Sequence, residues 1–417
     1  MRISWPCAAG FVLLITGCGA TTVGSRDAGF LDAAALDASA ADAQPSCAVR
    51  DSSTDRFVLS PPDGAPYVVE LAVGDQLHQC ARMSDGTVRC RGFNSNGELG
   101  LGPGAERTVD TPVAVPGLQG VEQVVTAIGV TCSRHRDGTV RCWGSNEYDM
   151  LGTGHGEDEN CTSGSDPRPC RTRPTLVSGL SDVVQLVGAH FSLCAVRQDG
   201  RVWCWGRAGV LLPRGGSSTP VRAEQVSEVT ALWDKNQLVV ARLRSGRYWS
   251  SGWPMLNFAI PPEAEIADGH SAHVCYRLLD TSVRCAGLNA NGKVGNGSSL
   301  WPGHVADAWD PGLCGVRSIA TGTYHTCAVM EDSTVRCWGD ASHGGLGTGD
   351  LATEQCAGIN HPTDCFTRPT IVPGLDRVER LFLGVWGSCA LRDDHSVWCW
   401  GTLASDRRSM VPERQVW

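Results

Sequence analysis

Nowhere in the 417 residues is there a run of basic side chains, and the formal net charge is −9. Proteins that grip nucleic acid neutralise phosphates with clustered Lys and Arg, so a phosphate backbone is excluded as the main partner. Long apolar runs are missing as well. The N-terminal stretch from Ala8 to Thr16 falls well short of the roughly 20 residues that a spanning helix needs. Tyrosine is sparse, at five residues, and none recurs in a fixed frame, which argues against a tyrosine nucleophile. What is plentiful is glycine (50), proline (22) and cysteine (20). Gly and Pro at that density punctuate many short elements rather than long helices.

The N-terminus gives the cysteines their context. Met1-Arg2, the apolar stretch and then Ile15-Thr16-Gly17-Cys18 resemble a bacterial lipoprotein signal, with residues 1–17 removed and Cys18 lipidated. A plain secretory signal without lipid is the alternative. Either way the mature chain meets an oxidising compartment, where cysteines form disulfides. Residues 18–46 carry Asp27-Ala28, Asp32-Ala33, Asp37-Ala38 and Asp42-Ala43 at a five-residue period. That period suits neither a helix face nor a strand face, so the segment reads as a solvated tether. Residues 47–65 connect it to the rest.

From about residue 66 to 417 the chain repeats itself. Cys194-Ala-Val-Arg-Gln-Asp-Gly-Arg-Val-Trp-Cys204-Trp205-Gly206 has the frame of Cys132–Cys142, Cys80–Cys90, Cys275–Cys285, Cys327–Cys337 and Cys389–Cys399. A seventh copy puts Val240 and Ser250 in the cysteine slots and keeps Gly246 in the turn. Apolar strands such as Val183-Val-Gln-Leu-Val precede the copies, and Pro116, Pro311 and Pro373 lead Pro-Gly-Leu-x-x-Val links. First slots at 80, 132, 194, 240, 275, 327 and 389 suit propeller blades with loop insertions. The predicted fold is all-β, one seven-bladed β-propeller with disulfide-stapled hairpins.

Spacing fixes the hairpin register. Gln198-Asp199-Gly200 makes a three-residue loop with its glycine in the left-handed position. Arg197 and Arg201 close it as a hydrogen-bonded pair, and alternation then makes Cys194 and Cys204 a non-bonded pair. Such pairs bring Cα atoms to about 4.5 Å, close enough for a disulfide. Cys161–Cys170 and Cys356–Cys365 form a second repeated spacing, and Cys47 with Cys314 remains by elimination. Zinc ligands are normally about two to four residues apart, and these are not.

The frame Gly322-Thr-Tyr-His325-Thr-Cys327-Ala through Cys337-Trp338-Gly339 to Gly345-Leu-Gly347-Thr-Gly349 resembles the regulator of chromosome condensation repeat in its cysteine-bearing bacterial form. The tail recurs as Asn96-Gly-Glu-Leu-Gly100-Leu-Gly102. The resemblance implies a seven-bladed propeller closed by pairing of N- and C-terminal segments. It does not imply one activity. The founding member is a nuclear exchange factor for a small GTPase, whereas exported bacterial members bind proteins through loops of one propeller face. The latter fits an exported chain better.

Other constellations point the same way. His78, His273 and His325 each lie two residues before a first-slot cysteine, as expected of bonds between neighbouring blades rather than of a metal ring. Trp143, Trp205, Trp338 and Trp400 follow the second cysteine and so face away from the disulfide, into blade-to-blade packing. Gly97-x-x-Gly100-x-Gly102 opens no helix, so it is not a dinucleotide fingerprint. Ser84-Asp85-Gly86-Thr87-Val88 lacks the Trp and spacing of a sialidase box. Copies two and six carry matched insertions after Leu-Gly-Thr-Gly. These hold the candidate binding residues His155, Glu157, Asp158, Asn160, Asp166 and Arg168 beside Pro169 in one, and Asp350, Glu354, Asn360 and His361 in the other. Trp233, Trp249 and Trp253 of copy four make a lesser patch. The expectation is a monomeric, non-catalytic binding module of the cell envelope without cofactor or metal. Its partner is expected to be a protein first and a carbohydrate second; a sialidase-like hydrolase and an exchange factor are the remaining alternatives.

Overall fold

A computed structural model describes residues 64–417, apart from 75–77, 155, 157, 164–165, 190, 208, 235–237, 253–259, 265, 271–272, 300–303, 350–353, 359–361 and 404–406. The signal, Cys18, the tether and Cys47 lie outside the described residues. Strands fall into seven antiparallel sheets built from consecutive segments: 68–114, 121–176, 183–222, 229–252, 266–309, 316–371 and 378–415. We call these blades one to seven. Four blades have four strands, blades two and six have five, and blade four has three among the described residues.

The predicted register is met. Cys194 faces Cys204, Val196 faces Val202, and the Arg197 amide donates to Arg201 at 2.9 Å around Gly200, whose φ is 78°. All six hairpin pairs are disulfides with Cα atoms 4.1 Å apart, slightly closer than an unlinked rung. Val240 faces Ser250 in the uncrosslinked copy. Cys314 is also disulfide-bonded, and its expected partner Cys47 lies outside the described residues.

The core is divided among the seams. Each apolar cluster joins one blade to the next: Leu99 and Val115 with Trp143, for example, or Val329 and Leu346 with Trp400. A cluster of Val68, Leu71 and Met83 with Leu391, Val397 and Cys399 joins blade one to blade seven and completes the ring. This corrects the expected mode of closure. Among the described residues, no sheet mixes strands from the two ends of the chain; blades one and seven meet through side chains instead. Each sheet among the described residues is built from one consecutive stretch of chain.

The histidines and tryptophans form a repeated latch. His78 Nε2 donates to Thr131 Oγ1 at 3.1 Å in blade two, and that hydroxyl donates to Glu98 O at 2.9 Å in blade one. Trp143 Nε1 donates to the same carbonyl at 2.9 Å. The pattern recurs with His273, Thr326, Trp338 and Lys293 O, and with His325, Ser388, Trp400 and Gly345 O. Each latch satisfies buried polar groups that would otherwise be costly. Burial pulls the pKa of His78 and of His325 down to about 4.

Candidate binding face

Antiparallel alternation sorts the loops. Connections after the first and third strand of each blade emerge on one face, and the Asp-Gly turns and Pro-Gly-Leu links on the other. In blades two and six the third-to-fourth connection grows into a two-stranded arm. Glu159–Ser163 pairs with the start of Asp166–Leu176, and Glu354–Cys356 with the start of Thr363–Ile371. Disulfides Cys161–Cys170 and Cys356–Cys365 cross the arms at a Cα separation of 5.8 Å in both.

Both arms are braced identically. Glu159 faces Cys170 and accepts from Thr172 Oγ1 at 2.6 Å; Glu354 faces Cys365 and accepts from Thr367 Oγ1 at 2.6 Å. Each arm's base leans on the Asn-Gly turn of the preceding blade. A Cβ on Gly97 would come within 2.8 Å of Thr172 Cα, and one on Gly292 within 3.1 Å of Thr367 Cα, at φ of 82° and 73°. Only glycine permits both the approach and the conformation. Asn291 Nδ2 adds bonds to Asp340 Oδ2 at 2.7 Å and Thr363 Oγ1 at 2.8 Å.

The expected site residues divide accordingly. Asn160 and Arg168 are exposed, Arg168 pairing with Glu147 at 2.7 Å. Asp158 accepts from Asn146 Nδ2 at 2.7 Å and Arg171 Nε at 2.9 Å, so it braces the arm. Glu354 does likewise through Thr367. Asp166 opens its strand. His155, Glu157, Asp350, Asn360 and His361 lie outside the described residues, as does Trp253. Trp233 and Trp249 pack partly buried at the seams flanking blade four.

Sequence reasoning missed the aromatics at the foot of each arm. Tyr148 meets Phe191 edge-on at 4.9 Å, and Arg207 lies 5.4 Å over Tyr148. At the other arm, His343 lies 3.8 Å and Tyr324 4.4 Å from Trp386. Tyr148 and His343 hold one repeat position, three residues before Leu151 and Leu346, and Phe191 and Trp386 hold another, three residues before Cys194 and Cys389. The signal was the shared offset, visible only once the blades are aligned. These groups, all part-exposed, sit on the arm-bearing face. The inner strands enclose a cavity of about 490 Å³ lined by Val73, Val125, Val187 and Leu383 with Gln123 and Gln185. Those two amides bond the next blade's strand, at Leu186 and Leu232. Lys293 is buried; its Nζ donates to Thr323 O at 3.2 Å, and burial lowers its pKa to about 7.

Fold and face together define a disulfide-stapled, seven-bladed β-propeller with two crosslinked arms on one side. The Regulator of chromosome condensation (RCC1) repeat matches residues 316–344, within blade six, and the chain is similar to proteins that carry this repeat. It is 25% identical to Protein pim1 of Schizosaccharomyces pombe over 80% of this chain and 59% of that protein. It is 24% identical to the E3 ubiquitin-protein ligase HERC2 of Mus musculus over 78% of this chain and 6% of that protein. The chain thus spans less than two thirds of the length of either relative. Among solved structures, Prp20p of Saccharomyces cerevisiae, described with its binding to Gsp1p and histones, superposes with a TM-score of 0.64. That match is 17% identical over 84% of this chain and 87% of that one. At that identity the likeness establishes the fold alone.

Proposed function

We propose that the protein is a protein-binding module of the cell envelope that engages its partner on the arm-bearing face. The observation that carries this is the pair of arms, cross-linked, braced in the same way and each footed by part-exposed aromatics. Preorganised loops lose little entropy on binding, and aromatic and Arg side chains supply most binding energy at protein interfaces. Prp20p, of the same fold, is described as binding proteins. The eight disulfides among the described residues suit an oxidising compartment. Anchoring belongs to the same reading: Cys18 carries lipid and holds the chain at a membrane. A Cys18→Ser variant should lose fatty-acid label and leave the membrane fraction; retained label would contradict the anchor.

The binding test captures envelope proteins on the full chain and on a Phe191→Ala, Trp386→Ala double variant. A specific partner should be retained by the first and reduced at least tenfold on the second, about 1.4 kcal/mol or more. Equal capture by both would move binding to another surface.

A further inference from the structure

At one of the seams without the Trp latch, a cation stands in the indole's place. The position after the second cysteine is Trp143, Trp205, Trp338 and Trp400 in four blades, each reaching the preceding blade's glycine-rich tail through its indole N–H. In blade one the same position is Arg91. The preceding blade, seven, has Thr402-Leu403 and Arg407-Arg408 where a Gly-Leu-Gly tail would lie. A cation replaces an indole, and the carbonyl it would have met is not supplied by the repeat.

Arg91 is 7% exposed. Its Nε and Nη2 both donate to one acceptor, Gln79 Oε1, at 3.0 and 2.8 Å, and its guanidinium lies 4.7 Å from the centre of the Trp417 ring. Among the described residues it has no ion-paired carboxylate. Asp110 is near enough to favour its charge, and Arg407 near enough to oppose it; Arg407 is exposed and paired with Glu413 at 2.8 Å. Among the described residues, a buried guanidinium held by one neutral amide oxygen, with a second arginine beside it and Asp110 acting only without an ion pair, is incompletely compensated, which is costly unless an anion supplies the balance. Gln79 and Trp417 fix the plane of the fork, and among the described residues no acceptor meets Nη1, the geometry in which Arg takes an oxyanion.

We infer that the seam between blades seven and one is an oxyanion-binding site, taking a phosphate or carboxylate group on Arg91 with Arg407 at its rim. The position is distinct from the arms and their aromatics.

The test is thermal unfolding of the full chain in sodium phosphate, acetate or chloride at matched ionic strength. The comparison variant is Arg91→Trp, which places there the residue of blades two, three, six and seven. The expected result is a rise of about 2 °C at tenfold the Kd in phosphate, acetate or both, relative to chloride, that disappears in Arg91→Trp and shrinks in Arg407→Gln. Phosphate alone acting would assign a phosphoryl ligand; both acting, a carboxylate-type one. No excess over chloride, or an excess that Arg91→Trp retains, would overturn the site.

Discussion

At the scale of single residues, the seams are held by groups that burial keeps neutral. Each imidazole of His78 and His325 bonds a hydroxyl of the next blade with its pKa drawn from 6.5 to about 4. A base whose native pKa is depressed contributes its full stability above the unfolded value and loses it as the pH falls between the two. Stability should therefore be flat above pH 7 and decline from pH 6.5 toward 4, by about 2 kcal/mol per histidine at pH 5. Urea midpoints across that range should show the decline, and His325→Gln should make it shallower. A slope unchanged by the substitution would remove His325 from the account. The periodic histidines were legible as seam contacts because they recur with the repeat. Arg91 was not, because its meaning lies in what the other blades carry at that position.

At the scale of the element, six hairpins are crosslinked at the closest rung and one is not. Blade four has Val240 opposite Ser250. Its Trp slot holds Ser251, and the slot of blade five holds Ala286. Both of its seams thus lack the indole latch that joins blades one to two, two to three, five to six and six to seven. Amides of 238–243 and 248–252 should exchange with solvent faster than those of 192–197 and 202–206, measured by hydrogen–deuterium exchange. A Val240→Cys, Ser250→Cys pair should form the missing crosslink and stabilise by up to about 3 kcal/mol, lost on reduction. Failure to oxidise would mean that the rung of blade four is splayed. The rung could be located by counting outward from a glycine turn, since strand alternation leaves one answer. The bracing of the arms could not be read this way: Gly97 and Gly292 belong to one blade's repeat, and the arm requiring them belongs to the next.

At the scale of the whole molecule, repetition made the fold readable, while its breaks carry the proposed binding face. Seven copies at blade-length spacing gave the ring. The closure differed from expectation because a periodic sequence does not say where each blade begins. Strand pairing puts the boundaries at the Pro-Gly-Leu links and leaves blades one and seven to meet through Leu71, Met83 and Leu391. The arms were visible as matched insertions. Which of their side chains are free was not, because carboxylates such as Asp158 and Glu354 are taken up by Arg171 and Thr367, while the part-exposed aromatics come from other loops.

The central claim is that one face of this propeller binds and the other does not. A photo-crosslinking residue placed at Asn160 or Gln355, exposed on the two arms, and in controls at Asp137 or Asp332, exposed on the opposite face, tests it in the native envelope. The account predicts that the arm positions crosslink to one shared partner protein and the turn positions do not. A shared partner captured from Asp137 and Asp332 but not from the arms would contradict it.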